Sequence, residues 1–239
     1  MPLPRSVFNP FLALLLLLPA ESLLASECVV LLHGLWRSDA SMNKMEKAIT
    51  EAGYEVRNVG YDSTEKSVED LAAETIPPAI ESCDDSSKIH FVTHSMGGIL
   101  IRQYLEHNDI ARLGRVVMLG PPNQGSEVID KYERFPGFKW FAGPAGLQLG
   151  TGEASIARSL GPVTFDVGVI AGTQSINPIL SGILPEDDDG KVSVESTRVE
   201  GMNDHVEMPV THMFMMRNKE VFAQILYYLE HGFFQREVN

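Results

Sequence analysis

Ser95 ends a short apolar run, Ile89-His90-Phe91-Val92-Thr93-His94, and Ile99, Leu100, Tyr104 and Leu105 then recur at helical spacing. This reads as strand, sharp turn, helix. A serine at such a turn projects from the carboxyl edge of a sheet, with the amino end of a helix beneath it to favour developing negative charge. That is where a nucleophile belongs. Glycine is wanted two residues after the serine, because the turn is tight enough for a β-carbon to collide with the strand, and Gly97 is there. A nucleophilic serine also needs a base for its proton and a third group to orient that base. Carboxylates stand together in Glu186-Asp187-Asp188-Asp189, and imidazoles at His205 and His212. The plainer alternative is a serine in an ordinary βα turn.

The elements that would position these groups follow from periodicity. Cys28-Val29-Val30-Leu31-Leu32 is a strand-length apolar run, as for a strand buried on both faces of a parallel sheet. Ser38 or Asp39 can cap a helix carrying Met42, Met45, Ile49 and Ala52, ended by Gly53. Residues 54 to 59 form the next strand. Ser67 precedes a helix with Val68, Leu71, Ala72, Ile76 and Ile80 inward, which Pro77-Pro78 should interrupt or kink. Residues 115 to 119 and 165 to 171 are further strands, and this alternation implies a parallel sheet with helices on both faces. His212 ends the run Met208-Pro209-Val210-Thr211, and Asn218 can cap a final helix with Val221, Phe222, Ile225, Leu226 and Leu229 inward, stopped by Gly232. His212 thus lies between the last strand and the last helix, whereas His205 precedes that strand and would start at the wrong edge. The insertion of residues 127 to 160 holds Tyr132, Phe135, Phe138, Trp140 and Phe141, which line an acyl pocket, form a lid or simply cover the core.

Composition suits one globular domain: 239 residues, 44% hydrophobic and 21% charged. The formal net charge of -13 repels an extended polyanion, so nucleic acid is not an expected partner. Residues 1–26 read as a signal peptide: Arg5 is the early charge, residues 11 to 18 are nearly pure leucine, and Pro19, Ser22, Ala25 and Ser26 supply the cleavage region. Its apolar core is short for a membrane span, although an uncleaved anchor is the alternative. Glu27, not a small residue, precedes Cys28, which disfavours lipid attachment. The expected location is periplasmic or secreted, with residues 27–239 as the folded domain.

His94-Ser95-Met96-Gly97-Gly98 resembles the nucleophile elbow of α/β-hydrolases in the H-S-M-G-G form common in lipases, with Thr93 where glycine is usual. Asp189-Gly190-Lys191-Val192 resembles the D-G-x-V acid turn of bacterial lipases, and Leu119-Gly120-Pro121-Pro122 their proline-glycine loop. The resemblance covers most of residues 27–239 and implies an α/β-hydrolase fold, a mostly parallel central sheet with helices on both faces. It implies Ser95 as nucleophile, His212 as general base and Asp189 as the acid, with Asp188 next, in the hydrolase order along the chain. His33-Gly34-Leu35 matches the family's oxyanion loop, so the amides of Leu35 and Met96 would face a tetrahedral oxyanion, and His33 would be structural. The acidic run could otherwise be a solvated turn or a weak calcium site.

The activity so implied is cleavage of carboxylic esters of short-to-medium acyl chains through an acyl-enzyme, with no metal or organic cofactor required. An ester or lipid-like small molecule is the expected substrate, and transient contact with lipid surfaces stays open. A lipid-linked or thioester deacylase and an acyltransferase would use the same three residues. A non-catalytic binding protein on this fold usually lacks one of them. In the family the first and third strands are parallel neighbours, which would bring Cys28 and Cys83 together at the amino edge of the sheet. A bridge there suits an oxidising compartment; two buried free thiols are the alternative.

Overall fold

Six strands lie in one sheet: β1 (Cys28–Leu32), β2 (Glu55–Val59), β3 (Ile89–His94), β4 (Leu113–Leu119), β5 (Val167–Gly172) and β6 (Asp204–Met208). Their order is β2-β1-β3-β4-β5-β6, and every neighbouring pair is parallel. The structure, a computed structural model, describes residues 26–83, 86–153, 155–176, 181, 182, 184 and 187–236. Except for Ser26, the expected signal peptide lies outside these residues. Among the described residues no helix is long and apolar enough to cross a membrane.

The apolar strand runs are explained by a sheet covered on both sides. Successive side chains alternate between faces, so Val30, Leu32, Phe91, Val116, Met118, Val167 and Val169 join one core while Val29, Leu31, Val92, Val117, Leu119 and Ile170 join the other. The first core is closed by α2 (Val68–Glu81) and α3 (Met96–His107), the second by α1 (Asn43–Glu51) and α7 (Lys219–His231). Ser67 Oγ caps α2 by accepting from the Asp70 amide, Asn218 Oδ1 caps α7 by accepting from Glu220 and Val221, and Gly232 ends α7 at φ 80°. Between β4 and β5 lie α4 (Glu127–Glu133), α5 (Phe138–Leu147) and the short α6 (Ile156–Ser159).

Three sequence expectations change. Pro77-Pro78 do not interrupt α2, which continues through them to Glu81. The carbonyls these prolines leave without donors belong to Ala73 and Glu74, which are exposed, so water can satisfy them. Neither Ser38 nor Asp39 caps α1; a 3-10 turn over Asp39–Met42 leads into it, with no side-chain cap on Ser38. The last strand is Asp204–Met208, not the apolar run after it, because Pro209 has no N–H to donate to the ladder. As an edge strand β6 is only half-buried, so its sequence carries no apolar run to betray it.

Cys28 pairs in register with Ile89 at the amino edge, and Cys83 follows α2 just before β3; a disulfide joins them across 55 residues of chain. The expected bridge is therefore present, far from the carboxyl edge. Thiol titration of the denatured, unreduced protein should find no reactive thiol. Reduction should lower stability by about 2 to 4 kcal/mol, read as a shift of the denaturant midpoint, because it releases the denatured chain from a long closed loop.

Candidate active site

The loops after β1, β3, β5 and β6 meet at the carboxyl edge of the sheet. Ser95 is the residue between β3 and α3, at φ 54° and ψ -122°, a backbone conformation rare for a residue with a side chain. Its amide donates to the Leu119 carbonyl at 2.9 Å, which pins the turn to β4. Glycine is needed at position 97 for a reason other than the elbow's own strand: an added β-carbon would lie 2.5 Å from the Leu32 carbonyl oxygen, at the end of β1. Gly98 in turn leaves room for Thr93, since a β-carbon there would meet Thr93 Oγ1 at 3.3 Å. Thr93 therefore fits where the resembling motif has glycine.

Gly34 lets the loop after β1 close onto this turn; a β-carbon on it would be 2.9 Å from Ser95 Cβ. No hydrogen bond among the described residues uses the Leu35 or the Met96 amide, so both donors are left for something else. His33 is buried and stacks on Tyr61 with ring centroids 4.0 Å apart. One tautomer serves both of its nitrogens: Nδ1–H donates to the Gly34 carbonyl at 2.9 Å, and Nε2 accepts from the Tyr61 amide at 3.4 Å. Burial lowers its pKa, which keeps the ring neutral and structural.

Asp189 and His212 are brought together. Asp189 Oδ2 is 2.7 Å from His212 Nδ1, and both side chains are almost wholly buried. The other carboxylate oxygen accepts from the Lys191 and Val192 amides at 3.0 and 2.9 Å, and the His212 amide donates to the Asp189 carbonyl at 2.9 Å. With Nδ1 thus engaged, Nε2 is the nitrogen free to exchange protons with a substrate. Asp188 points elsewhere: its Oδ1 accepts from the Gly190 amide and from Ser181 Oγ. Glu186, the first residue of the acidic run, lies outside the described residues. His205 sits at the amino end of β6 beside Thr197 Oγ1, at 2.9 Å, where burial and Arg198 push its pKa down to about 4.

Sequence reasoning missed two positioning residues. His94 Nε2–H donates to the His212 carbonyl at 2.9 Å, and the two rings lie 4.7 Å apart. Burial, and then the charge of His212, hold the His94 pKa well below its ordinary value. Gly120 lies at φ 52°, and a β-carbon on it would be 2.8 Å from Asp189 Oδ2 and 3.1 Å from His212 Nδ1. Its position between a strand and two prolines was the available signal.

Ser95, His94 and His212 border a cavity of about 370 Å³ whose wall is otherwise largely apolar: Leu35, Trp36, Pro122, Val128, Ile129, Tyr132, Phe138, Phe141 and Leu149, with Arg37, Ser126, Lys191 and Val192. Trp36 stacks on Phe141 at 4.8 Å and donates its Nε1–H to the Phe141 carbonyl, which ties α5 to the loop after β1. From α3 the buried Arg102 donates to the carbonyls of Asn123, Ala157, Leu160 and Gly161, fixing the loop after β4 to the end of the insertion. A serine, a carboxylate-bound imidazole and two idle amides around an apolar cavity are the parts of acyl-transfer chemistry.

A family model for palmitoyl protein thioesterases matches residues 28–157. The chain belongs to the palmitoyl protein thioesterase family. The matched stretch holds the Leu35 loop, Ser95 and most of the insertion, and ends before Asp189 and His212. Among solved structures, this thioesterase-family chain is similar to the Bacillus licheniformis lipase BlEst2 in mature form, at 20% identity and TM-score 0.67 over 86% of this chain and 92% of that one. It is similar to an esterase from Exiguobacterium antarcticum at 17% identity and TM-score 0.56, covering 86% and 93% of the two chains. With phospholipase PlaB from Legionella pneumophila it shares 17% identity at TM-score 0.53, over 72% of this chain and 45% of that one. Such identities show the fold, which is that of α/β-hydrolases. No curated protein matches the sequence.

If Gly120 exists to admit the Asp189–His212 pair, Gly120→Ala should lower kcat/KM by about a hundredfold, the scale of a misplacement near 1 Å. Its cost in stability should stay near 1 to 3 kcal/mol, from the positive φ. Ester assays and a thermal melt check this; activity like that of the unaltered protein would contradict it.

Proposed function

We propose that this thioesterase-family chain hydrolyses carboxylic esters or thioesters through an acyl-enzyme on Ser95, with His212 as general base and Asp189 as its orienting acid. The buried 2.7 Å hydrogen bond between Asp189 and His212, on the wall of the cavity that Ser95 borders, carries this reading. Ser95 Oγ attacks the carbonyl carbon as its proton passes to His212 Nε2, and Asp189 stabilises the imidazolium. The carbonyl π electrons move to oxygen, where the Leu35 and Met96 amides receive the negative charge. The tetrahedral intermediate then collapses, the carbon–leaving-group bond breaks, and His212 returns the proton to the departing alcohol or thiol. Water, deprotonated by the same nitrogen, attacks the acyl-enzyme carbonyl; the bond from that carbon to Ser95 Oγ then breaks, His212 returns the proton to Oγ, and the acid leaves. None of these steps calls on a metal or organic cofactor.

We propose short-to-medium acyl chains. A cavity of about 370 Å³ is at the small end for ligand sites. The segment 127–160, with α4 and α5 on the cavity wall, serves in this reading as a cap that encloses the acyl chain. The disulfide fits an oxidising compartment, the periplasm or the exterior.

Ser95→Ala should lower ester hydrolysis by roughly 10⁴-fold or more while leaving the melting temperature nearly unchanged. Asp189→Asn should cost roughly 10³- to 10⁴-fold in kcat, because the wrong imidazole tautomer would face Ser95, and Asp187→Asn or Asp188→Asn far less. Equal losses at the three aspartates would remove Asp189 from its role. Across esters of increasing acyl length, soluble short- and medium-chain substrates should be cleaved faster than insoluble long-chain triglycerides; the reverse order would refute the chain-length proposal.

A further inference from the structure

Two cations border the active-site cavity with no carboxylate of their own among the described residues. Among the described residues neither Arg37 nor Lys191 makes an ion pair or donates a side-chain hydrogen bond; the exposed Lys44, Lys131, Arg134, Arg217 and Lys219 do not either, but water solvates those, whereas Arg37 and Lys191 are half-buried on the cavity wall. Acids are not scarce, since the chain has 32 of them against 19 Lys and Arg. Lys191 Nζ lies 5.1 Å from the centroid of the Trp36 ring. Burial, and then the charge of Arg37, lower its pKa, and both cations also disfavour a charge on His94, the neighbour of Ser95. The carboxylate that opposes this is Asp189, whose oxygens already serve His212 and two amides. Two like charges held at a partly desolvated wall are unfavourable until an anion joins them.

Their place in the chain says where that anion belongs. Arg37 is two residues beyond Leu35 and Lys191 two beyond Asp189, so the cations ride on the loops that carry the candidate oxyanion amide and the acid. Half of the apolar wall suited to an acyl chain, Val128, Ile129, Tyr132, Phe138 and Phe141, comes from α4 and α5, which carry neither cation of the pair. We propose that the site selects acyl donors whose leaving group carries an anionic oxygen group, a phosphate or a carboxylate, close to the scissile bond, with Arg37 and Lys191 receiving it. Guanidinium offers such a group a planar pair of donors and the ammonium a point charge. The inference rests on the hydrolase reading above and narrows its substrate class.

Two matched pairs test it: 1-octanoylglycerol against its 3-phosphate, and the octanoyl thioesters of N-acetylcysteamine against 3-mercaptopropionate. Within a pair the acyl group and the bond type are the same, and the pairs separate phosphate from carboxylate. The anionic member of at least one pair should have the higher kcat/KM by roughly tenfold, the scale of one charge-assisted hydrogen bond, and the gap should narrow with added salt. Lys191→Met, which keeps an unbranched stem on Trp36, and Arg37→Gln should each draw that ratio toward one, while Lys191→Arg should preserve it. Taking the ratio within each variant cancels any loss of folded protein. A ratio near one for both pairs overturns the proposal, as does a preference that survives both variants, which would leave Lys191 as a packing partner of Trp36. Cleavage of none of the four substrates sinks the hydrolase reading, and this inference with it.

Discussion

The hydrogen bond between Asp189 and His212 is the contact to which the rest of the site answers. A carboxylate and an imidazole with almost no exposure are tolerated only if their remaining valences are met. The Lys191 and Val192 amides hold one carboxylate oxygen, the His212 amide holds the Asp189 carbonyl, and His94 holds the His212 carbonyl. Room is as scarce as hydrogen bonds. Gly120 and Gly172 flank the pair, and a β-carbon on either would lie 2.8 Å from an atom of Asp189. Under the proposed mechanism this rigidity sets the tautomer and direction of the His212 ring before substrate arrives.

The sheet order explains where the candidate site lies. Chain order reverses between β1 and β3, so the chain leaves β1 for α1 on one face and leaves β3 for α3 on the other. A crevice opens between two such diverging loops. Leu35 follows β1 and Met96 follows β3, and glycines at 34 and 97 let the two segments approach within contact distance. The disulfide anchors the opposite edge, where β1 and β3 begin. The covalent staple and the candidate site thus stand at opposite ends of the same strands.

The buried strands and the serine turn were legible because their constraints are local. A strand covered on both faces is mostly apolar, and the turn at Ser95 is marked by the switch from that run to helical spacing, although Gly97 answers to the distant Leu32 carbonyl. Asp189 was separable from Asp188 only through resemblance to a known turn, since adjacent carboxylates look alike until the backbone aims one at His212. What stayed hidden depends on partners distant in sequence: His94 on a carbonyl 118 residues away, and Arg102 on loops up to 59 residues away. The edge strand β6 was hidden differently, because half-burial replaces an apolar run with Asp204-His205-Val206-Glu207-Met208, and Pro209 marks its end instead.

The central claim is that Ser95, His212 and Asp189 act as one unit, and serine-directed labelling tests it without any choice of substrate. The protein is treated with a fluorophosphonate and the modified peptide is mapped by mass spectrometry, in parallel with its Asp189→Asn and His212→Ala variants. The account predicts a single adduct on Ser95, formed quickly in the unaltered protein and very slowly in both variants. An adduct on another residue, or labelling of Ser95 at an unchanged rate in both variants, would contradict it.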